Sequence, residues 1–203
     1  MKTVFEVGSN LGCDTKRLIE KYPDANFYCF EPTRELLRDK LWPELGHMSN
    51  VHFFPFAVDI ENSFKQFNIT GLADWGSSSL FEMVENINEL WQNTHPGLKK
   101  THSYYVPTIT LYDFCNLYNI TEIDYIWIDA QGNDFNCLKS FKDKISIVKE
   151  GVCEADHTVV PYKNTNNYYK DVIAWLENNN FTVTFEVDQW WPQQVNLNFK
   201  RNE

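Results

Sequence analysis

Val4-Phe5-Glu6-Val7-Gly8-Ser9-Asn10-Leu11-Gly12 is the stretch on which the fold of this chain turns. An apolar strand carrying one acid runs into a turn with two glycines. Asp14 to Tyr22 then predicts a helix with Leu18, Ile19 and Tyr22 on one face. Gly8 and Gly12 permit positive φ and let a ligand approach the backbone. The free N–H groups of the following helix turn favour an anionic or polar partner. A small charged cofactor fits such a turn, although glycines at this spacing also occur in plain tight turns.

Asn26-Phe27-Tyr28-Cys29-Phe30-Glu31 is a second short apolar strand. It ends on an acid about 20 residues past the glycine turn, the spacing of a ribose-binding carboxylate in a βαβ nucleotide fold. The third glycine of the dinucleotide fingerprint is missing, because Thr15 stands at that position. That counts against a nicotinamide cofactor without removing it.

The chain has 203 residues, 43% of them hydrophobic and 16% aromatic, enough for one α/β domain with a sizeable core. A net charge of −10 and a pI near 5.0 argue against a nucleic-acid partner, whose phosphates need a basic surface. The five cysteines, at 13, 29, 115, 137 and 153, form no C-x-x-C pair and predict core thiols of a reducing compartment. No signal segment opens the chain and no apolar run reaches the ~18 residues of a membrane span, so a soluble, cytoplasmic protein is expected. The sequons at Asn68, Asn119 and Asn180 are read as chance in so Asn-rich a chain. The first strand begins close to Met1 with no helix before it. The expectation is one domain over residues 1–203, cut from a longer chain; a minimal form leaving one sheet face for a partner or another segment is the alternative.

Further along, Thr33 to Leu41 predicts a helix, Val51 to Phe56 a third strand entering Ala57-Val58-Asp59, and Ser63 to Ile69 a short additional strand. Asp74-Trp75-Gly76-Ser77-Ser78-Ser79 is a polar loop, and Phe81 to Trp91 has helical periodicity. Residues 71–105 are the expected insertion, of the kind that forms lids or acceptor pockets. Thr110 to Tyr118 resumes as a helix. Ile123 to Ile128 then predicts a buried strand ending in Asp129-Ala130-Gln131-Gly132, followed by a helix from Phe135 to Phe141. Ligands in open α/β sheets bind outside the carboxyl ends of the strands, so Asp129 should lie near Gly8 and Glu31. Ile145 to Val148 with Gly151 to Glu154 predicts a fifth strand, ending in Glu154-Ala155-Asp156-His157. A helix over Asn166 to Asn178 and strands over Phe181 to Val187 and Val195 to Phe199 complete the chain. Trp190-Trp191 between those strands reads as core packing or as a platform for a sugar ring.

Five motifs in this order, Glu6 to Gly12, Phe30-Glu31-Pro32, Trp75 to Leu80, Thr110 to Asp113 and Ile128 to Asp134, resemble those of the FkbM family of S-adenosylmethionine-dependent methyltransferases. The resemblance covers roughly residues 3 to 157. It implies a class I, Rossmann-like α/β fold: a seven-stranded, mostly parallel sheet with the last strand antiparallel and helices on both faces. It also implies methylation of a hydroxyl oxygen. The chain departs from the family at Asn133-Asp134 and lacks the N-terminal helix. Carried over by residue, the resemblance puts the methionine part of S-adenosylmethionine over Glu6, Gly8, Ser9, Asn10 and Gly12 and its ribose on Glu31. The adenine falls near Ala57 and Val58, with Asp59 meeting its amino group. Ser78 and Ser79 match the family's serine loop, as cofactor closure, acceptor contact or a turn hydrogen bond. A similarity to the methyltransferase domains joined to glycosyltransferase domains in large algal viruses implies a rhamnose acceptor and covalently linked glycosyltransferase domains.

A hydroxyl nucleophile must lose its proton as the methyl transfers. Asp129, Glu154, Asp156 and His157 are the available bases, with Asp129 favoured by its strand end. Asp129 with Glu154 or Asp156 could instead hold a divalent cation through oxygen ligands, and carboxylates alone do not decide between these roles. The expected function is an O-methyltransferase acting on a sugar or other hydroxylated acceptor. A nicotinamide-dependent oxidoreductase and a non-catalytic binding module are the alternatives.

Overall fold

The computed structural model describes residues 1–70, 75–90, 99–187 and 193–203. In chain order, β1 (Thr3–Val7), α1 (Cys13–Lys21) and β2 (Asn26–Phe30) form the opening βαβ unit. A helical stretch follows: α2 (Arg34–Leu36), a π-turn (Leu37–Leu41) and α3 (Trp42–Leu45). After it come β3 (Val51–Phe54), β4 (Ala57–Val58), β5 (Phe64–Ile69), α4 (Ile87–Leu90), β6 (His102–Ile109) and α5 (Leu111–Leu117). The second half contains β7 (Tyr125–Ile128), α6 (Asp134–Lys139), a 3-10 turn (Lys142–Ile147), β8 (Glu150–Asp156), α7 (Tyr169–Asn178), β9 (Phe181–Val187) and β10 (Gln194–Arg201).

The main sheet has seven strands in the order β3-β2-β1-β7-β8-β10-β9. Neighbours from β3 to β8 pair in parallel, whereas β10, the last strand, is antiparallel to both β8 and β9. β1, β2 and β7 are almost continuously apolar because both their faces are covered. One face packs Val4, Phe27 and Cys29 against Leu18 of α1. The other meets α5, where Phe114 stands edge-on to Phe5 and Phe30 at 5.7 and 4.7 Å. The Thr110 hydroxyl starts α5 by accepting from Asp113 N–H at 3.0 Å. β4, β6 and β5 form a smaller sheet beside the main one.

Several elements differ from the sequence expectation. The second helix runs on past Leu41, because the π-turn shifts the hydrogen bonding one residue before Pro43, which has no N–H to give. Phe81 to Asn86 is not helical. Instead Met83 bridges Tyr162, and Val84 and Lys163 N–H donate across to Pro161 and Glu82 carbonyls, so this apolar segment is held as an extended strap. His102–Ile109 is a strand, overlapping the end of the expected insertion. Ile145 lies in a 3-10 turn and not in a strand; only Val148 makes a bridge, to Ile123. Four cysteines are buried as expected, but Cys13 is exposed. Trp190-Trp191 lies outside the described residues. Among the described residues, no helix is long and apolar enough to cross a membrane.

Candidate active site

A cleft opens at the carboxyl ends of β1, β2 and β7. Gly8, Asn10, Glu31, Asp129 and Gln131 line its polar part, and Phe56, Ala57, Val58, Phe67 and Leu80 its apolar part. Three strand ends expected from the sequence to share one ligand therefore do meet.

The glycine turn is built from below. Glu6 is fully buried, and its Oε2 accepts from the Ser9 hydroxyl at 2.7 Å and the Thr15 hydroxyl at 2.6 Å. Its Oε1 is buried with no hydrogen-bond partner among the described residues. Burial pushes the Glu6 carboxyl up to about 7, with the Thr15 and Ser9 hydroxyls pulling the other way. Glu6 and Ser9 thus support the turn and do not line the cleft. Gly12, at φ +79°, has its α-carbon packed toward Leu41 and also lies behind the wall.

Asn10 sits in the left-handed region at φ +47°, which turns its N–H onto Glu31 Oε2 at 2.8 Å. The other carboxylate oxygen accepts from Thr33 N–H at 2.7 Å. Burial raises the Glu31 pKa, and the Thr33 and Asn10 N–H groups oppose this. The Asn10 side-chain oxygen is buried without a partner among the described residues, in a residue that lines the cleft.

At the apolar end, the Val58 carbonyl is held by Asn133 Nδ2 at 2.8 Å. Asp59, expected to meet the adenine amino group, is buried with its Oδ2 paired with Lys65 Nζ at 2.5 Å and is not among the residues that line the cleft. Ser78 lines the cleft and shares its hydroxyl with Thr70 at 3.2 Å. Ser79 is buried behind it, donating to the Gln131 carbonyl at 2.7 Å and accepting from Phe81 N–H at 3.0 Å.

Gln131 organises the acidic side. Its Nε2 donates to Asp129 Oδ1 at 2.6 Å and to Glu154 Oε2 at 3.3 Å, and its Oε1 faces the Tyr162 hydroxyl at 2.9 Å. Gln194 Nε2 also donates to Glu154 Oε2, at 2.8 Å. Burial, then the charges of Asp129, Asp134 and Asp156, hold the Glu154 carboxyl well above the usual carboxylate range. Asp134 closes the turn after β7 by accepting from Ala130 N–H at 2.7 Å and Gly132 N–H at 3.0 Å. Burial and the Asp129 charge raise its pKa as well.

The remaining expected bases stand apart from the cleft wall. Asp156 is buried, and burial pushes its pKa up to about 7, with the Thr165 hydroxyl opposing the rise. The His157 ring packs edge-on to Tyr169 at 4.9 Å. The expected cation site of Asp129, Glu154 and Asp156 is not assembled. Among the described residues no group of three or more His, Cys, Asp or Glu side chains is arranged to hold a metal ion. Between Asp129 and Glu154 stands an amide donor.

Gln131, Tyr162, Gln194 and Asn133 escaped the sequence reading as site residues. The one local signal was Gln131-Gly132 after a strand end, and both residues adopt positive φ, +51° and +85°.

Comparison with known proteins agrees with this geometry. The chain is 26% identical over 148 residues to the 2-O-methyltransferase NoeI of Sinorhizobium fredii (strain NBRC 101917 / NGR234), a match covering 70% of this chain and 58% of that protein's length. It is 22% identical over 201 residues to Methyltransferase 1 of Beauveria bassiana (strain ARSEF 2860), covering 96% of this chain and 78% of the relative. Its fold is similar to Aeropyrum pernix fibrillarin, solved with natively bound S-adenosyl-L-methionine, at a TM-score of 0.50 and 8% identity over 98% of this chain and 66% of that one. The strand order is that of a class I methyltransferase, and the methyltransferase FkbM domain matches residues 6–183. The chain belongs to the FkbM methyltransferase domain family.

Proposed function

We propose that this protein is an S-adenosylmethionine-dependent O-methyltransferase whose acceptor is a sugar hydroxyl. The observation that carries the reading is the junction of Asn10 and Glu31 at the cleft. A buried carboxylate with both oxygens fixed by backbone N–H groups retains lone pairs for a vicinal diol, and the unpartnered Asn10 oxygen beside it suits an ammonium donor. The apolar wall of Phe56, Ala57, Val58, Phe67 and Leu80 suits a purine. A nucleoside carrying an amino-acid arm matches this sequence of surfaces. Family membership sets the nicotinamide alternative aside.

When bound, S-adenosylmethionine supplies an electrophilic methyl on a sulfonium. Asp129 is the carboxylate of the β7 end that lines the cleft, and it takes the proton as the acceptor oxygen gains the methyl and the thioether leaves. The shorter of the two Gln131 contacts goes to Asp129, which supports Asp129 as the charged acceptor of the pair. Glu154, whose pKa is raised by burial and by the neighbouring acids, shares the same amide donor. Oxygen as the target atom is supported by the name of NoeI, a 2-O-methyltransferase. A sugar is supported by the acidic surface, which disfavours phosphate-bearing acceptors, and by the similarity to viral methyltransferase domains joined to glycosyltransferases. Rhamnose, linked glycosyltransferase domains and a cytoplasmic location belong to the same proposal.

Incubation with S-adenosylmethionine labelled in its methyl group and rhamnose-bearing glycans tests it. Label in a methyl ether is expected. Cofactor binding without transfer to any hydroxylated acceptor would favour the non-catalytic module.

A further inference from the structure

The acidic side of the cleft holds more structure than proton transfer requires. Gln131 is fixed at four points: its carbonyl by Ser79, its Oε1 by Tyr162, and its Nε2 by Asp129 and Glu154. Its backbone is in the left-handed region at φ +51°, a conformation that costs a non-glycine residue free energy. Gly132 beside it leaves room for Tyr162: a β-carbon there would lie 2.7 Å from the Tyr162 ring. The Tyr162 segment is in turn zipped to residues 82–84. All of these restraints converge on the orientation of one amide, and that amide orients Asp129 in the cleft wall.

The wall carries two acids, Glu31 and Asp129. Both Glu31 oxygens are committed to backbone N–H groups at the diol end. Asp129 directly follows β7, with its carbonyl oxygen against Gly8; on the cofactor reading above, the sulfur that joins the nucleoside to its amino-acid arm would lie near it. In S-adenosylmethionine that atom is a cationic sulfur, and in the demethylated product it is a neutral thioether. A carboxylate held at this wall distinguishes the two by charge alone.

We propose that Gln131 is a positioning residue that holds the Asp129 carboxylate toward the sulfur position, so that the cleft prefers the charged methyl donor over its neutral product. The inference rests on the cofactor reading above. Glu154 takes part through the shared amide. A fixed donor between two acids lets one carry the charge while the other stays close, and the strap of residues 82–84 and 161–163 keeps that donor in place.

Calorimetric titration of the whole chain with S-adenosylmethionine and S-adenosylhomocysteine tests this without an acceptor. For each variant the quantity of interest is the ratio of the two dissociation constants. In Asp129→Asn the preference for the methyl donor should fall about ten-fold relative to wild type, roughly 1.4 kcal/mol, with S-adenosylhomocysteine affinity unchanged. Gln131→Leu should move the ratio in the same direction, and Gln131→Asn, which keeps an amide on a shorter arm, should recover part of it. Unchanged S-adenosylhomocysteine binding certifies that the variants are folded. An unaltered ratio in Asp129→Asn would overturn the proposal while leaving the cofactor reading intact. Absence of binding by either ligand to the wild-type chain would overturn both.

Discussion

A β-carbon built on Gly8 would lie 1.9 Å from the carbonyl oxygen of Asp129. The first strand's turn and the end of β7 therefore touch through backbone, with only a hydrogen atom's room between them, and Gly8 adopts φ +89° to make the contact. Gly8→Val is expected to displace the Asp129 segment as well as strain the turn. Loss of S-adenosylhomocysteine binding and a lowered thermal midpoint should appear together. A Gly8→Val protein with wild-type affinity would contradict the placement of the cleft.

Truncation of Glu31 removes the acceptor for two backbone N–H groups and the expected diol contact at once. Glu31→Ala should weaken S-adenosylmethionine binding by roughly 1.5 to 3 kcal/mol, measured by calorimetry. Asn10 and Thr33 N–H are left without their carboxylate, so some loss of stability accompanies it. Glu31→Gln keeps one acceptor oxygen and should lie between the two.

Buried carboxylates give the protein a stability profile tilted toward mild acid. Glu6 carries its pKa from 4.5 to about 7 and Asp156 from 3.8 to about 7, both chiefly through burial. The folded state then binds protons more tightly than the unfolded chain. The associated stabilisation is complete below the unfolded values and is lost as the pH rises through about 7, at up to roughly 3 kcal/mol for Glu6. The thermal midpoint should be higher near pH 5.5 than at pH 8. Glu6→Gln should remove part of that slope and be relatively more stable at the alkaline end. A midpoint that rises from pH 5.5 to 8 would contradict this account.

Legibility in the sequence followed locality. β1, the glycine turn, α1 and β2 were readable because an apolar run, a glycine pair and a helical stripe carry the whole signal within 30 residues. β6 was missed because it starts on His102-Ser103 and contains Pro107, features that disfavour a strand until the antiparallel pairing with β5 is known. The Phe81–Trp91 periodicity promised a helix, yet Met83 and Val84 are satisfied by bonds to Pro161 and Tyr162, some 80 residues away. The same limit applied to the site. Gly8, Glu31 and Asp129 were found from strand ends, whereas the supporting role of Glu6 and the bridging role of Gln131 depend on which side of a turn each side chain faces. The pairing of Asp59 with Lys65, from the adjoining small sheet, likewise depends on a tertiary contact that local sequence does not carry.

Asp129→Asn keeps the shape of the side chain and removes its charge. With a methylatable sugar acceptor, kcat should drop by about 10²-fold or more, in the range of a lost general base. His157→Gln should leave the rate within a few-fold, because the ring is packed on Tyr169 and does not line the cleft. The reverse ranking, with His157 essential and Asp129 dispensable, would reassign the base.

A crystal structure of this chain grown with S-adenosylhomocysteine examines the central claim most directly. The account predicts ribose hydroxyls on the Glu31 carboxylate, the purine against Ala57, Val58 and Phe67, and the thioether beside Asp129. Density for the ligand elsewhere on the molecule, or a cleft that stays empty at saturating ligand, would contradict it.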